Sequence, residues 1–477
     1  MTRPTIQVRI AFVNAPFAAI ASLTWIDISA YVWLDGNPGG SAITINRGRQ
    51  FELDAMQAGT CTLVLDNRDR RFDPDNAASP YWPNVIPTRR INLRATWNAI
   101  TYDLFTGYVE SWEPFDPTPG AVAQSLVRLT AVDLFKALNY TTFTMNEMSD
   151  NNPVNVIQDV LNTSGWPAAD RDPGSNSPTR IPAQLWPSQP ALPAIQTIAT
   201  ADGGTFFIED DGRTVYHDRY WSARNSANRA VFGDASAALG ILNGPISAAA
   251  TTIALISIAT FPTAGTVLID SELIRYTGLN AGPPQLIGCI RGESMTTASS
   301  HSGGVVVTQS ELPYADVRFS FDDTRLINHA EVTRAGGALQ SADDAASQAT
   351  YGVRAKQVTN LLITTDAEAL ARAQYVIILY ALPYARVASL LLNGELAPAT
   401  LWPQILSRTF DDKIIIMRRP PGGGSTIAKI ARISAMSQSI GANQWLTTWQ
   451  VYRVGNDQFF ILDSATNGIL DTSRLAY

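Results

Sequence analysis

The chain has 477 residues, 45% of them hydrophobic, so it is long enough for roughly three globular domains with buried cores. It carries 42 acidic and 35 basic residues, and the net charge of −7 argues against a protein that binds nucleic acid through a basic face. Two isolated cysteines and three histidines argue against a disulfide scaffold, a structural zinc site or another cofactor. No apolar run reaches about eighteen residues and no signal-peptide pattern follows Met1, so neither a membrane span nor secretion is expected.

Residues 1–140 have the pattern of an antiparallel β region. Apolar residues recur at every second position in short runs that Gly, Pro and Asn separate. This pattern predicts a first β-barrel or sandwich. The predicted strands are Gln7–Val13, Thr24–Trp33, Arg89–Trp97, Tyr102–Trp112 and Ser125–Ala131, followed by a short helix from Asp133 to Leu138.

The stretch from Ile45 to Pro74 combines a strand with a dense charged loop. Cys61, Leu63 and Leu65 alternate with polar neighbours, which predicts a strand with one dry face. Residues 66–75 are too polar for burial unless each charge finds a partner, so they form a surface loop that is either self-paired or a docking surface. The candidate subunit-interface residues are Asp66, Arg68, Asp69, Arg70, Arg71 and Asp73.

A calcium loop of the EF-hand type is the alternative for this charged segment. That loop needs Gly at its sixth position and Glu at its twelfth. Counted from Asp66, those positions hold Arg71 and Ala77, which argues against a metal site.

Residues 141–235 change to an α+β pattern. Asn152 can cap a helix that has Pro153 at its first position. A second helix is predicted over Ala194–Ala201. The runs Thr205–Ile208 and Thr214–His217 predict a hairpin, because an Asp-Gly pair lies between them.

The remaining chain divides into three parts. Residues 236–311 are rich in Ala, Thr, Ser and Gly and predict an inserted all-β domain, with a hairpin formed by Thr266–Ile269 and Leu273–Tyr276. Residues 312–455 predict a second β-barrel with helices, including one that the capping box at Thr365 and Glu368 begins. Residues 456–477 repeat an Ile-Leu-Asp motif and predict a C-terminal arm.

Several short motifs follow one another along the chain. They are Arg47-Gly48 with Glu52-Leu53-Asp54, residues 59–75, Leu104–Val109, Leu129–Leu134, Phe206–Ile208 with Asp211-Gly212, and Leu312-Pro313-Tyr314 with Asp344, Ser347, Tyr351, Gly352 and Arg354. In this order they resemble the hub or minor tail protein at the tail tip of long-tailed bacteriophages, which is related to baseplate hubs. Residues 261–304 also resemble a small domain that recurs in phage tail proteins.

This resemblance implies a mainly β fold with two tail-tube-like barrels per chain, an α+β module between them and an inserted all-β domain. It also implies a non-enzymatic homotrimer in the virion tail tip, made in the host cytoplasm, in which six barrels match a hexameric tube. The implied partners are the distal tail protein or tail tube, the C-terminus of the tape-measure protein and the tail fibres or spikes, with DNA only as transiting cargo. Host attachment and genome ejection are the implied processes.

Two other functions remain open at the level of sequence. A tail-associated glycosidase needs two carboxylates, and Glu209, Asp210 and Asp211 are the candidates, although no catalytic motif accompanies them. A host-glycan adhesin would use the inserted domain, with Tyr276 as an exposed binding residue. His217, His301 and His329 lack metal-ligand spacing and are expected to be structural or solvent-facing.

Overall fold

The computed structural model describes residues 3–34, 42–49, 54–115, 125–145, 151–172, 174, 177–225 and 227–454. The predicted arm at 456–477 lies outside these residues. The first β region contains β1 (Thr5–Ala11), β2 (Ile26–Asp27), β3 (Ile43–Gly48), β4 (Gln57–Asp66), β5 (Arg90–Trp97), β6 (Ile100–Phe115), β7 (Leu126–Val132) and helix α1 (Leu134–Tyr140).

The prediction of a long strand over Thr24–Trp33 is wrong. Only Ile26–Asp27 are extended as a strand, and a single 3₁₀ turn covers Ser29–Tyr31. The cause is local, because the Asp27 carboxylate accepts a hydrogen bond from the Ser29 backbone N–H at 2.8 Å and another from its hydroxyl. Side chains of this kind compete with the strand ladder and turn the backbone.

The middle of the chain forms the predicted α+β elements. The Asn152 side chain caps the first of its helices by accepting a hydrogen bond from the Asn155 N–H at 3.0 Å, and Gly203, with φ +78°, ends the next one. The elements are β8 (Thr142–Met145), α2 (Pro153–Thr163), β9 (Arg171–Asp172), β10 (Trp186–Pro190), α3 (Ala191–Asp202), β11 (Thr205–Ile208), β12 (Thr214–His217), α4 (Trp221–Arg224) and β13 (Ala230–Gly233).

The inserted segment has a hydrophobic core of its own, built around Val267, Ile274 and Leu286. Its two ends leave the main body side by side, since Phe232 and Leu312 form a parallel bridge. Its strands are β14 (Leu239–Ile241), β15 (Thr252–Ala254), β16 (Gly265–Ile269), β17 (Glu272–Tyr276), β18 (Gly278–Ala281), β19 (Pro284–Ile287), β20 (Ile290–Glu293) and β21 (Val306–Gln309).

The last part of the described chain returns to β structure with three helices. The predicted capping box is present, because Thr365 and Glu368 exchange side-chain and backbone hydrogen bonds. The elements are β22 (Asp316–Ser320), β23 (His329–Arg334), β24 (Gln340–Asp343), α5 (Ala345–Tyr351), β25 (Ala355–Leu361), α6 (Asp366–Tyr380), β26 (Arg386–Asn393), α7 (Pro398–Ser407), β27 (Lys413–Arg418), β28 (Ile427–Ile440) and β29 (Trp445–Arg453).

The two β regions share one sheet. In the described chain this sheet has 13 strands, and its main path runs β2-β1-β5-β6-β7-β4-β3-β28-β29-β26-β22, with β27 beside β28 and β13 beside β27. The junction is the antiparallel pair β3 and β28, whose register runs from Ile43 opposite Ile440 to Gly48 opposite Ala435. The mainly β fold with α+β elements is therefore confirmed, and β13 belongs with the second β region.

Buried aromatic side chains also join the two regions. Trp402 on α7 lies with its ring centroid 4.9 Å from that of Trp445 on β29 and 6.4 Å from that of Trp97 on β5. Helix α7 was not predicted, because Pro398 and Pro403 obscure its periodicity. Among the described residues, no helix is long and apolar enough to cross a membrane.

Candidate assembly surfaces

The charged loop at residues 66–75 pairs its charges internally. Asp66 binds the Arg68 guanidinium and Asp69 binds that of Arg71. Arg70 Nη2 donates to Asp73 Oδ2 at 2.6 Å. These hydrogen bonds lower the pKa of Asp73, since the arginine favours the charged carboxylate. The structure thus brings together all six residues that the sequence singled out, as three pairs within one loop.

An aromatic anchor holds this loop against the first β region. Phe72 is fully buried, and its ring lies 5.7 Å from that of Tyr81 and 6.0 Å from that of Trp112, measured between centroids. The Asn67 side chain accepts a hydrogen bond from the Phe72 N–H at 2.9 Å. The loop is consequently a preformed surface feature, and its charged side chains need no rearrangement to meet a partner.

Exposed apolar residues follow the charged loop, and the sequence analysis missed them. Trp82 is 52% exposed and Ile86 is 41% exposed. Both belong to the same loop system, since the Ser79 hydroxyl donates to the Arg71 carbonyl at 2.6 Å and the Trp82 N–H donates to the Ser79 carbonyl at 3.1 Å. Tryptophan and arginine are the residue types that dominate binding energy at protein interfaces. Trp82 lies in an irregular segment, where no periodic pattern in the sequence indicates which side chains are exposed.

The acidic turn at residues 209–212 binds neighbouring elements. Glu209 accepts a hydrogen bond from the Thr409 hydroxyl at 3.0 Å. Asp210 forms an ion pair with Arg47 on β3, and its carbonyl accepts from the Thr106 hydroxyl at 2.8 Å. Asp211 pairs with Arg213 at 2.6 Å. The turn therefore fastens the α+β elements to the main sheet, and each of the three carboxylates already has a partner.

Tyr276 does not lie where the adhesin hypothesis needs it. The sequence analysis took it as exposed, but it is completely buried in the inserted core. Its hydroxyl donates to the Pro262 carbonyl at 3.0 Å and lies 3.2 Å from Gln309 Oε1. Tyr276 lies two positions after Ile274 on β17, so both side chains point to the buried face of the strand. The ring of Tyr276 is therefore a core residue and offers no face to a glycan.

The three histidines each contact carboxylates. His217 Nδ1 lies 2.9 Å from Asp411 Oδ2, and His329 Nδ1 lies 2.7 Å from Asp343 Oδ1. His301 is buried between Asp270 and Glu272. Across the described residues, no group of three His, Cys, Asp or Glu side chains has an arrangement that could hold a metal ion.

No family model matches the chain and no curated protein matches it. A 43 kDa tail protein of prophage MuSo2 from Shewanella oneidensis is similar at 11% identity and a TM-score of 0.47, covering 94% of this chain and 97% of that chain. A tail protein from Neisseria meningitidis is similar at 11% identity and a TM-score of 0.49, covering 95% of this chain and 97% of that chain. Prophage tail protein gp18 from Listeria monocytogenes is similar at 8% identity and a TM-score of 0.42, covering 93% and 94%.

These three similar structures are tail proteins, two of them from prophages. Their identities lie at or below 11% and their TM-scores below 0.5, so the likeness concerns overall layout and carries no argument about function. What the chain does has to be argued from its own residues.

Proposed function

We propose that this chain is the structural hub of a phage tail tip, a homotrimeric adaptor that closes the tail tube and connects the distal tail ring to receptor-binding fibres or spikes. The observation that supports it is the tandem arrangement of two β regions in one sheet. They are joined through the six residue pairs between β3 and β28. Three such chains would present six β regions to a six-fold tube while offering three-fold symmetry below.

The proposed position is the tail tip of the virion, after synthesis in the host cytoplasm. The distal tail protein or tube would lie above the ring, and the C-terminus of the tape-measure protein would lie inside it. DNA would pass only as cargo during genome ejection, which agrees with a net charge of −7 that gives a polyanion no general attraction to the protein.

The charged loop with Trp82 is the proposed contact between neighbouring subunits. The side chains of Arg68 and Arg70 are each 61% exposed, and the adjoining Trp82 offers apolar area that a monomer would leave in water. An interface with a tryptophan at its centre and arginine pairs at its rim has the composition of a specific protein contact. An obligate trimer would need more than about 2,000 Å² at such contacts.

Light scattering coupled to size exclusion tests the oligomer directly. We expect a particle with three times the mass of one chain, and electron cryomicroscopy of that particle should show a ring of six β regions around a channel. A monomer at micromolar concentration, or a ring of any other order, would contradict the proposal.

Incubation with host peptidoglycan separates this proposal from the wall-hydrolase alternative. We expect no released fragments, because Glu209, Asp210 and Asp211 are engaged by Thr409, Arg47 and Arg213. Fragments that disappear in the Glu209→Gln variant would contradict a purely structural role.

A further inference from the structure

A cavity of about 220 Å³ lies where α3, α6 and the end of β29 meet the segment that follows β12. Among the residues that the structure describes, five arginines from distant parts of the chain line it, against three aspartates. The arginines are Arg49, Arg219, Arg372, Arg432 and Arg453, and the aspartates are Asp54, Asp218 and Asp411. Such a convergence of like charges costs free energy unless something neutralises it.

The aspartates already have other partners. Asp411 lies 2.9 Å from His217 Nδ1 and accepts a hydrogen bond from the Tyr452 hydroxyl at 2.8 Å. Asp218 accepts from Arg224 Nη2 at 2.5 Å. Asp218 is therefore paired with an arginine outside the lining, whereas Asp411 also interacts with the lining Arg49.

Backbone carbonyls, which carry no net charge, satisfy some of the arginines. The fully buried Arg432 donates to the carbonyls of Asp411 and Ser222, each at 2.6 Å. Arg49 donates to the Asp54 carbonyl at 3.2 Å. These hydrogen bonds hold the guanidinium groups in place without neutralising them, and among the lining aspartates Asp411 offsets part of the charge of Arg49.

Arg372 lies on α6 and also lines the cavity. Its guanidinium lies against Gly203, where an added Cβ would come within 2.1 Å of Nη1. It makes no hydrogen bond or ion pair with any residue that the structure describes. Burial, and after it the positive charge of Arg219, lower the pKa of Arg372, while Tyr375, Asp202 and Tyr216 raise it, so its positive charge is only partly offset.

The walls of the cavity favour an anion further. The rings of Trp221 and Tyr452 and the side chain of Val376 line it, and low-polarity walls strengthen the attraction between an entering anion and the arginines. The cavity is smaller than the roughly 300 Å³ at which small-molecule sites begin, so it suits a single side chain. An extended nucleic acid is disfavoured by the net charge of −7 and by Asp54 among the lining residues.

We propose that this cavity receives a carboxylate side chain from an acidic segment of a second protein, with Arg372 as its principal ligand. A carboxylate accepts two parallel N–H donors from one guanidinium, which fits an arginine whose donors are free. All lining residues belong to one chain, so the inference does not depend on the proposed trimer.

The test uses the full-length protein and isothermal titration calorimetry with hexaglutamate as the probe and hexaglutamine as the uncharged control. We expect hexaglutamate to bind, hexaglutamine to bind at least tenfold more weakly, and the Arg372→Gln variant to lose at least tenfold in hexaglutamate affinity. Arg318→Gln, at a side chain 80% exposed on β22, serves as the matched control and should bind like the parent. Absence of hexaglutamate binding, or equal binding by Arg372→Gln, would overturn the proposal.

Thermal unfolding gives a second, independent measurement. Arg372→Gln removes a cation that burial and Arg219 disfavour more than Asp202 stabilises it, so its melting temperature should equal or exceed that of the parent protein. Arg386→Gln, which breaks an ion pair with Asp322 at 2.9 Å, should lower the melting temperature. If Arg372→Gln lowers it as much as Arg386→Gln does, Arg372 is a structural residue and the site assignment is wrong.

Discussion

Phe72 and Trp112 stack with their ring centroids 6.0 Å apart and their planes 12° from parallel. This contact places a fully buried aromatic side chain in the middle of the most charged loop of the chain. The charged residues on either side are held in position because the ring between them belongs to the core of the first β region.

Removing that ring should weaken the whole first β region. We expect Phe72→Ala to lower the free energy of unfolding by about 3–5 kcal/mol, the range for large-to-small core substitutions. Urea denaturation followed by tryptophan fluorescence measures it. Arg70→Ala, two residues away at an exposed ion pair, should cost less than about 1 kcal/mol. Equal losses in the two variants would contradict the role of Phe72 as the anchor.

Charge reversal in the loop tests its proposed contact with a neighbouring subunit. The double variant Arg70→Glu and Arg71→Glu sets like charges against Asp73 and Asp69, so we expect native mass spectrometry to show dissociation of the oligomer. Arg318→Glu, with an 80% exposed side chain, reverses charge elsewhere and should leave assembly unchanged. An undisturbed oligomer in the double variant would mean that the loop is a solvated surface whose ion pairs stabilise only the loop.

The junction between the two β regions depends on a glycine. Gly48 has φ +107°, and an added Cβ would lie 2.3 Å from the Ser434 carbonyl oxygen on β28. Gly424 has nearly the same φ, +106°, with no atom within 4 Å of such a Cβ. Both Gly→Ala variants incur the same backbone strain, but only Gly48→Ala overpacks the junction.

We therefore expect Gly48→Ala to lose about 1–3 kcal/mol of unfolding free energy beyond the loss in Gly424→Ala. Chemical denaturation of both variants under identical conditions gives the difference. Similar values would show that β3 and β28 separate at little cost, which would also weaken the proposed function.

The inserted domain should be sensitive to acid through Glu272. This buried carboxylate accepts hydrogen bonds from Arg291 at 2.7 Å and from the backbone N–H of Gly292 at 2.9 Å, and it lies 2.8 Å from His301 Nε2. Burial alone would raise its pKa, but the Arg291, His301, Ser299 and Gly292 donors lower it from 4.5 to about 2. Because the folded pKa is depressed, the stabilisation is complete above pH 4.5 and is lost as the pH falls toward 2.

From that shift we expect the inserted domain to lose ~3 kcal/mol as the pH falls to about 2, of which ~2 kcal/mol is lost by pH 3. Urea unfolding at pH 7, 5 and 3, with pulsed hydrogen exchange of peptides from β17, measures it locally. Glu272→Gln should be destabilised at pH 7 and show a flatter pH dependence. Asp270→Asn changes the exposed partner of His301 and should have a small effect. A parent domain equally stable at pH 7 and pH 3 would contradict this account.

Sequence patterns of a few residues correctly predicted the elements that hydrogen bonds between neighbouring residues stabilise. The cap at Asn152, the capping box at Thr365 and the hairpin across Gly212 are all confirmed, because neighbours in sequence make their hydrogen bonds. Elements that depend on distant contacts were missed. Helix α7 contains an internal proline, and it is helical because Trp402 packs on Trp97 and Trp445.

For the candidate surfaces too, the features set by neighbouring residues were predicted and those set by distant contacts were missed. The sequence located the charged loop, and its pairing was foreseeable since each arginine lies within three residues of its aspartate. The exposure of Trp82 was not foreseeable, because it lies in a turn where no alternation exists. The burial of Tyr276 agrees with its alternation with Ile274 on β17, a pattern that the adhesin hypothesis did not take into account.

The sequence by itself determined a mainly β chain with helices in the middle, an inserted β segment and a charged surface loop, because periodicity, capping residues and turn residues act over a few positions. Only the tertiary structure decided that β3 pairs with β28 and that Arg372 and Arg219 meet in one cavity. Both depend on contacts between residues more than a hundred positions apart. Such contacts are set by the packing of the whole core, and no local pattern encodes them.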